Sequence, residues 1–235
     1  MTNPYNNSRP KDGLLYGTRL VITNLVTGII NRISDEPGKR GRVSVMEDST
    51  IVENCSPTLA GIKTGNLFSC EYQSRREVCE YLKRTNAVLV KKGIRIVPIK
   101  YYEKRVVLYL YRPCFLCRDL NNEIARAYME KLGYKAENPD YCVTRLGRRM
   151  RENTMQDDFP HEVGFFLGYP PEDVLGFMQH KAKEYKCVGC WKVYGDVKNA
   201  RKTFDAYTNC TKCLLGRFKD GASLEQLTVK MPDAV

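Results

Sequence analysis

The sequence lacks a long run of apolar residues. No uninterrupted hydrophobic stretch among its 235 residues reaches the roughly 18 residues that a membrane-spanning helix requires. The opening segment, MTNPYNNSRPKDG, is polar and has no apolar centre of the kind that defines a secretory signal. We therefore expect a cytoplasmic protein that does not associate with a membrane.

Signatures of common enzymes are also missing. Neither the glycine-rich pattern GxGxxG of dinucleotide-binding proteins nor the phosphate-binding pattern GxxxxGK[ST] occurs. Histidine is scarce, and the separation of His161 and His180 does not fit the HExxH pattern of zinc proteases. These absences favour a non-enzymatic binding or regulatory protein, and an enzyme without a recognisable motif is the alternative.

Acidic residues are in deficit, because 27 Asp and Glu stand against 38 Lys and Arg, a formal net charge of +11. Part of the excess lies in basic clusters at 38–42, 91–92 and 145–151. Such a balance attracts polyanions and phosphates over long distances. The last cluster predicts nucleic-acid binding through four side chains: Arg145, Arg148, Arg149 and Arg151. The alternative is an ordinary solvated basic surface.

Hydrophobic patterns and end signals predict a mixture of helices and strands. A capping box formed by Ser74 and Glu77 opens a predicted helix. The β-branched stretches 94–101 and 105–111 predict two strands, and Pro98 places the first of them at a sheet edge. The predicted fold class is α+β, with a small, partly antiparallel sheet and helices packed against it in a single main domain.

The composition divides the chain into three segments. Residues 1–44 are predicted to form a partly disordered N-terminal arm, 45–218 the α+β domain, and 219–235 a flexible tail. Within the domain, one helix is predicted over residues 113–132 because a proline opens it and a glycine follows it. Residues 186–194 are predicted to form the last strand.

Four separated blocks resemble a known family: CSPTLAGIKTGNLF at 55–68, YLYRP at 109–113, FPHEVGFFLGYPPEDVLGF at 159–177 and WKVYGD at 191–196. Together they resemble the bacterial family catalogued as domain of unknown function 3793, over about residues 50–215. The resemblance implies a cytosolic bacterial protein without an established activity. It therefore assigns no catalytic residue.

Ten cysteines are many for a protein expected in a reducing compartment. Two Cys-x-x-Cys pairs fit the spacing of structural zinc sites; they are Cys187, Cys190, Cys210 and Cys213. Zinc binding by these four residues is one prediction. The alternative is ordinary packing, because Cys210 and Cys213 lie in a helical pattern, and Cys190 and Cys213 depart from the family that the chain resembles.

Two further thiol patterns give alternatives of their own. Cys114 and Cys117 follow Pro113 at a predicted helix start, where the helix dipole lowers the pKa of a thiol, as a redox dithiol requires. Cys55 and His161 have the chain order of a papain-like enzyme, in which a histidine activates the nucleophilic thiol.

Polar residues clustered in the family-like blocks predict a ligand site. The predicted pocket gathers Lys63, His161, Glu162, Asp173 and Lys192. The positive net charge favours a small anionic ligand. In the structural alternative, Asp158 caps the helix that begins near His161, and Glu162 complements the dipole of its first turn.

Overall fold

The computed structural model describes residues 46–152 and 159–231. Within them, helices enclose a three-stranded antiparallel sheet, and a two-stranded hairpin lies to one side. The predicted α+β class, with a small antiparallel sheet in a single main domain, is confirmed. The predicted arm at 1–44 and the predicted cap Asp158 lie outside the described residues. In the described part, no helix has the length and apolar character needed to cross a membrane.

The three-stranded sheet consists of β1 (Gly65–Glu71), β2 (Arg95–Tyr101) and β3 (Arg105–Tyr111). β3 is central and pairs antiparallel with both neighbours, so that Tyr111 lies opposite Gly65 on β1 and Arg95 on β2. β2 is an edge strand, as Pro98 predicts, because proline has no N–H to donate to a second neighbour. The register of β2 shifts between Pro98 and Lys100.

Among the described residues, the α-helices are, in chain order, α1 (Asp48–Leu59), α2 (Arg75–Leu89), α3 (Pro113–Leu120), α4 (Glu123–Lys131), α5 (Pro139–Glu152), α6 (Val163–Phe166), α7 (Pro171–Gln179), α8 (Val197–Lys219) and α9 (Leu224–Leu227). A short 3₁₀ helix, Val90–Lys92, follows α2. The hairpin comprises β4 (Cys187–Val188) and β5 (Lys192–Val193).

Both faces of the sheet are buried, because successive side chains of a strand point to opposite faces. The apolar residues of β3 divide between two cores: Val106, Leu108 and Leu110 in the first, and Val107, Tyr109 and Tyr111 in the second. Helices α1, α2, α8 and α9 complete the first core, and α3 to α7 complete the second. This double burial explains why the sequence of β3 is apolar throughout and does not alternate.

A buried arginine joins the sheet to three other segments. Arg112 directly follows β3 and is fully buried. Its guanidinium donates hydrogen bonds to the carbonyl oxygens of Thr58 (2.8 Å), Leu59 (2.8 Å), Lys92 (3.1 Å) and Val229 (2.8 Å). Two of these carbonyls end α1, where the helix dipole is negative. The positive charge is therefore balanced by oriented backbone dipoles.

The helix predicted over 113–132 is two helices, α3 and α4. Asn122 interrupts it, because its side-chain oxygen accepts hydrogen bonds from the backbone N–H groups of Ile124 (3.1 Å) and Ala125 (3.4 Å). This is the arrangement of a helix N-cap. Polar side chains of this α3–α4 junction lie beside the loop that precedes β1.

Two other segments differ from the prediction. The strand predicted over 186–194 is the β4–β5 hairpin, whose turn contains Gly189; a Cβ atom there would lie 2.1 Å from the ring of Phe204. The segment predicted as a flexible tail contains α9 in its described part, with Leu224 and Leu227 buried in the first core. Val229 continues this packing by donating its N–H to Leu59 of α1 (3.0 Å).

Candidate functional site

A cavity of about 550 Å³ lies where four segments meet. Its walls are the α1–β1 loop, the α3–α4 junction, the α6–α7 junction and the middle of α8. The lining residues used below are Lys63, Thr64, Phe115, Arg118, Asp119, Asn121, Asn122, Phe165, Tyr169 and Tyr207. We call it the Lys63 cavity, because that side chain is its most unusual member.

Lys63 is a buried cation without a conventional partner. It is only 6% exposed, and its ammonium makes no hydrogen bond or ion pair to any residue that the structure describes. Its Nζ lies 5.6 Å from the ring centroid of Tyr169 and 5.8 Å from that of Tyr207. Aromatic faces attract a cation, but they compensate only part of the hydration it has lost.

Among the described residues, no carboxylate forms an ion pair with Lys63; Asp119 lines the same cavity but accepts hydrogen bonds from Thr64 and Arg118. Burial is the largest cause and lowers the pKa of Lys63 from 10.5 to about 8, whereas the nearby thiols of Cys190 and Cys55 act in the opposite direction. Burial also raises the pKa of both thiols above the ordinary value. Because both thiols are therefore protonated at pH 7, neither supplies a negative charge to the lysine.

The loop that carries Lys63 is held on both sides. Ile62 donates its N–H to the carbonyl of Pro57 (2.9 Å), and Arg112 donates its N–H to the carbonyl of Thr64 (2.9 Å). The hydroxyl of Thr64 donates to a carboxylate oxygen of Asp119. These bonds fix the backbone on either side of Lys63 and so restrict where its amine can lie.

The α6–α7 junction approaches this loop very closely. Gly168 adopts a φ of +70°, and a Cβ atom there would lie 2.6 Å from the hydroxyl oxygen of Thr64. A larger residue would be strained by the backbone conformation and would also collide with Thr64. Glycine at this position therefore brings Tyr169 against the cavity.

The α3–α4 junction supplies the polar wall of the cavity. Asp119 accepts the hydrogen bond from Thr64 and also pairs with Arg118 at 2.8 Å. The side chain of Arg118 is 65% exposed and lies over the ring of Phe115, 4.6 Å from its centroid. The guanidinium can therefore reach a ligand in the cavity while Asp119 and Phe115 hold its orientation.

Of the five side chains predicted to form one ligand pocket, Lys63 lines this cavity. Glu162 is buried elsewhere, 2% exposed, in an ion pair with Arg149 (2.5 Å). Its same oxygen accepts a hydrogen bond from the hydroxyl of Tyr134 (3.0 Å). Arg149 belongs to α5 and Tyr134 to the segment after α4, so Glu162 connects both of them to the start of α6.

Asp173 has a comparable structural role at the start of α7. One of its oxygens accepts from the indole N–H of Trp191 (2.6 Å), and the other from the backbone N–H groups of Tyr194 and Gly195 (2.7 Å each). These bonds tie α7 to the β4–β5 hairpin. The ring of Trp191 stacks on Tyr169 at 4.9 Å, so Asp173 supports the cavity wall indirectly.

His161 and Lys192 are brought together around a third residue, Phe177. The imidazole centroid lies 5.1 Å from the Phe177 ring, and the Lys192 amine lies 5.9 Å from it. Lys192 donates to the carbonyl of Ala182 (2.8 Å). Burial lowers the pKa of His161, and its buried Nδ1 has no hydrogen-bond partner among the residues that the structure describes. Neither residue lines the Lys63 cavity.

The structure does not gather the cysteines predicted to bind zinc. Cys187 and Cys190 pack against the small core around Trp191, Cys210 packs against the first core, and Cys213 is exposed. Over residues 46–152 and 159–231, no group of three or more His, Cys, Asp or Glu side chains is arranged to hold a metal ion. All ten cysteines are free thiols.

The basic cluster predicted to bind nucleic acid is largely used within the fold. Arg145 donates to the carbonyl of Leu132 (2.9 Å), and Arg151 donates to the carbonyl of Ile99 (2.9 Å). Arg149 forms the ion pair with Glu162 described above. Arg148 is the member of the cluster whose side chain is exposed and makes no such bond to a described residue.

The sequence prediction missed most of the residues that surround Lys63. Tyr207 packs against the small core around Trp191, and nothing in the sequence indicates that it lies close to Lys63. Arg118 and Asp119 lie in a stretch predicted as continuous helix. The NN pair at 121–122 was the available signal, because asparagine at a cap would have placed a break beside them.

Comparison with known proteins identifies one family. The family model described as "Protein of unknown function (DUF3793)" matches residues 51–228. The match contains the sheet and every residue that lines the Lys63 cavity. No curated protein and no solved structure matches the chain.

Proposed function

The chain belongs to the DUF3793 family of proteins of unknown function, and we propose that it binds a small organic anion in the Lys63 cavity. One observation carries this proposal: a buried lysine on the cavity wall has no anionic partner among the described residues. The ten free thiols support a reducing compartment, such as the cytoplasm, as the place where binding occurs.

The charge of Lys63 is the main argument for an anionic ligand. Lowering its pKa from 10.5 to about 8 corresponds to about 3 kcal/mol of lost stability for the charged form. An anion beside the ammonium would recover part of this free energy, because a buried ion pair is far better than an unpaired buried charge. Binding of an anion would therefore stabilise the buried ammonium of Lys63, which forms no ion pair with a described residue.

The rest of the cavity favours an organic anion over a bare inorganic ion. Its volume of about 550 Å³ lies in the range of small-molecule sites. Phe115, Phe165, Tyr169 and Tyr207 supply apolar and aromatic walls, and Arg118 supplies a second cation on the rim. A carboxylate or phosphate with a short apolar or planar body fits this combination.

Thermal unfolding with a panel of organic anions tests the proposal. The panel consists of pyruvate, 2-oxoglutarate, salicylate and adenosine monophosphate, each compared between the wild-type protein and Lys63→Met. We expect at least one anion to raise the wild-type Tm by about 3 °C or more and to leave the Tm of Lys63→Met unchanged.

The control variant is Lys91→Met, because Lys91 is an exposed lysine outside the cavity. It should retain the wild-type response to the same anion. If no anion of the panel shifts the wild-type Tm, or if Lys63→Met responds as strongly as wild type, anion binding in this cavity is wrong.

A further inference from the structure

The amine of Lys63 has an unusual position for a lysine. Lysines normally extend into solvent, whereas this side chain is more than nine-tenths buried and ends at a cavity large enough for a small molecule. Its ammonium is not used in any hydrogen bond or ion pair with a described residue. The side chain therefore does not serve the fold in the way that Arg112 does.

The protonation of this amine also differs from that of a surface lysine. With a pKa of about 8, about a tenth of the Lys63 amines are unprotonated at pH 7. An ordinary lysine is almost completely protonated at that pH. Since only the unprotonated amine has a free electron pair, desolvation in an apolar site turns a lysine into a nucleophile.

A phenol lines the same cavity as the amine. It belongs to Tyr207, whose ring centroid is 5.8 Å from the Lys63 Nζ. Burial raises the pKa of Tyr207, with smaller contributions from Cys190 and Asp119, so the phenol stays protonated. Its hydroxyl makes no hydrogen bond to another described residue, unlike that of Tyr169, which donates to the carbonyl of Cys190 (3.3 Å).

We propose that Lys63 forms a reversible imine with a small aldehyde or 2-oxo acid that enters the cavity. This inference rests on the proposed function, because it names the ligand class of the same site. The carboxylate of a 2-oxo acid would lie near Arg118, and its carbonyl carbon would face the Lys63 amine. Tyr207 would donate a hydrogen bond to the carbonyl oxygen.

The reaction is balanced without any oxidant or reductant. The unprotonated Nζ adds to the carbonyl carbon, the π electrons move to the oxygen, and one proton passes from nitrogen to oxygen to give a carbinolamine. The nitrogen lone pair then forms the C=N bond while the hydroxyl group takes up a proton from solvent and leaves as water. The product is a protonated imine, and added water reverses each step.

Reductive trapping tests this proposal on the full chain. Wild-type protein is incubated at pH 7 with cyanoborohydride and either glyoxylate or its uncharged counterpart glycolaldehyde, and the modified lysines are identified by peptide mass spectrometry. We expect glyoxylate to modify Lys63 at least about tenfold faster than exposed lysines such as Lys91. Lys63→Arg should lose this fast modification, and Lys91→Arg should retain it.

The outcomes separate the imine from the anion site. If Lys91 and other exposed lysines are modified and Lys63 is not, the imine proposal is wrong. The anion site would still be supported in that case if glyoxylate raises the Tm of wild type and not that of Lys63→Met. Fast modification of Lys63 at equal rates by glyoxylate and glycolaldehyde supports the imine and contradicts the anion preference. Modification at Lys63 that is faster with glyoxylate supports both.

Discussion

Lys63 is solvated in the unfolded chain and buried in the folded protein, and this difference links its protonation to stability. Because folding lowers its pKa from 10.5 to about 8, the folded state binds fewer protons than the unfolded state between these pH values. The free energy of unfolding therefore rises with pH across this window, by up to about 3 kcal/mol. Below pH 8 the buried ammonium of Lys63 lowers the free energy of unfolding by the full amount.

Chemical denaturation of wild type and Lys63→Met between pH 7 and pH 10.5 measures this linkage. At pH 7 the variant should be more stable than wild type, because methionine fills similar space without a charge. The difference should shrink as pH rises, since the wild-type amine loses its proton. The cysteine thiols and tyrosine hydroxyls titrate in both proteins, so their effects cancel in the comparison. A stability difference between wild type and Lys63→Met that does not change with pH would contradict the lowered pKa of Lys63.

Asp173 has a residue type that is common in ligand sites, but its hydrogen bonds to Trp191, Tyr194 and Gly195 give it a structural role. Asp173→Ala leaves three donors without an acceptor: the indole of Trp191 and the N–H groups of Tyr194 and Gly195. We expect a loss of about 3 kcal/mol or more in the free energy of unfolding. A changed Trp191 fluorescence spectrum would report the released indole.

The matched control is Glu172→Ala, because Glu172 is an exposed carboxylate in the same helical turn. It should change stability by no more than about 0.5 kcal/mol. Equal losses for Asp173→Ala and Glu172→Ala would mean that the three hydrogen bonds to Asp173 contribute nothing measurable.

At the scale of elements, Arg112 holds together α1, the 3₁₀ helix and the segment after α9. Arg112→Met removes the donors of four carbonyl groups, and we expect it to cost at least about 3 kcal/mol. Arg112→Lys should restore little, because one ammonium cannot reproduce the planar fork that reaches four oxygens.

Urea denaturation compares these variants with Arg76→Met, which alters an exposed i,i+4 pair with Glu80 on α2. Exposed pairs of this kind contribute little, so Arg76→Met should remain close to wild type. If Arg112→Lys matched wild-type stability, the geometry of the guanidinium would not be what joins these elements.

The end of the described chain should also stabilise the first core. A chain that stops after Gly221 loses α9, and with it the buried side chains Leu224 and Leu227. Burying two leucines contributes about 3 to 6 kcal/mol, so this truncation should lower the Tm strongly in a thermal melt. A chain that stops after Met231 keeps both leucines and should melt well above the shorter chain. Similar melting of all three chains would contradict the docking of α9.

At the scale of the whole molecule, the sequence was informative where local signals agree with the fold. β3 and its edge neighbour β2 were predictable because β-branched runs and Pro98 act locally. The start of helix α2 was predictable because Ser74 caps it, and its side chain accepts a hydrogen bond from the backbone N–H of Glu77. By contrast, the break at Asn122 was missed because an asparagine can cap a helix or face solvent, and the choice depends on packing.

The site was predictable only in part, because its geometry depends on contacts between distant segments. Lys63 stands out in the sequence because it lies in a glycine-bounded loop, GIKTG, within a family-like block. Glu162 and Asp173 were predicted as ligand-binding carboxylates, but their partners Arg149 and Trp191 come from other elements. No local pattern shows whether a carboxylate will meet a ligand or an internal donor.

The most direct test of this account is the pKa of Lys63, measured by nuclear magnetic resonance on protein with ¹³C-labelled lysine. The Lys63 signal is assigned by its absence in Lys63→Arg. We predict a titration midpoint near pH 8, and we predict that an anion that raises the Tm will move this midpoint upward, because it stabilises the ammonium. A midpoint near the ordinary value of 10.5, unchanged by every anion tested, would contradict the central claim.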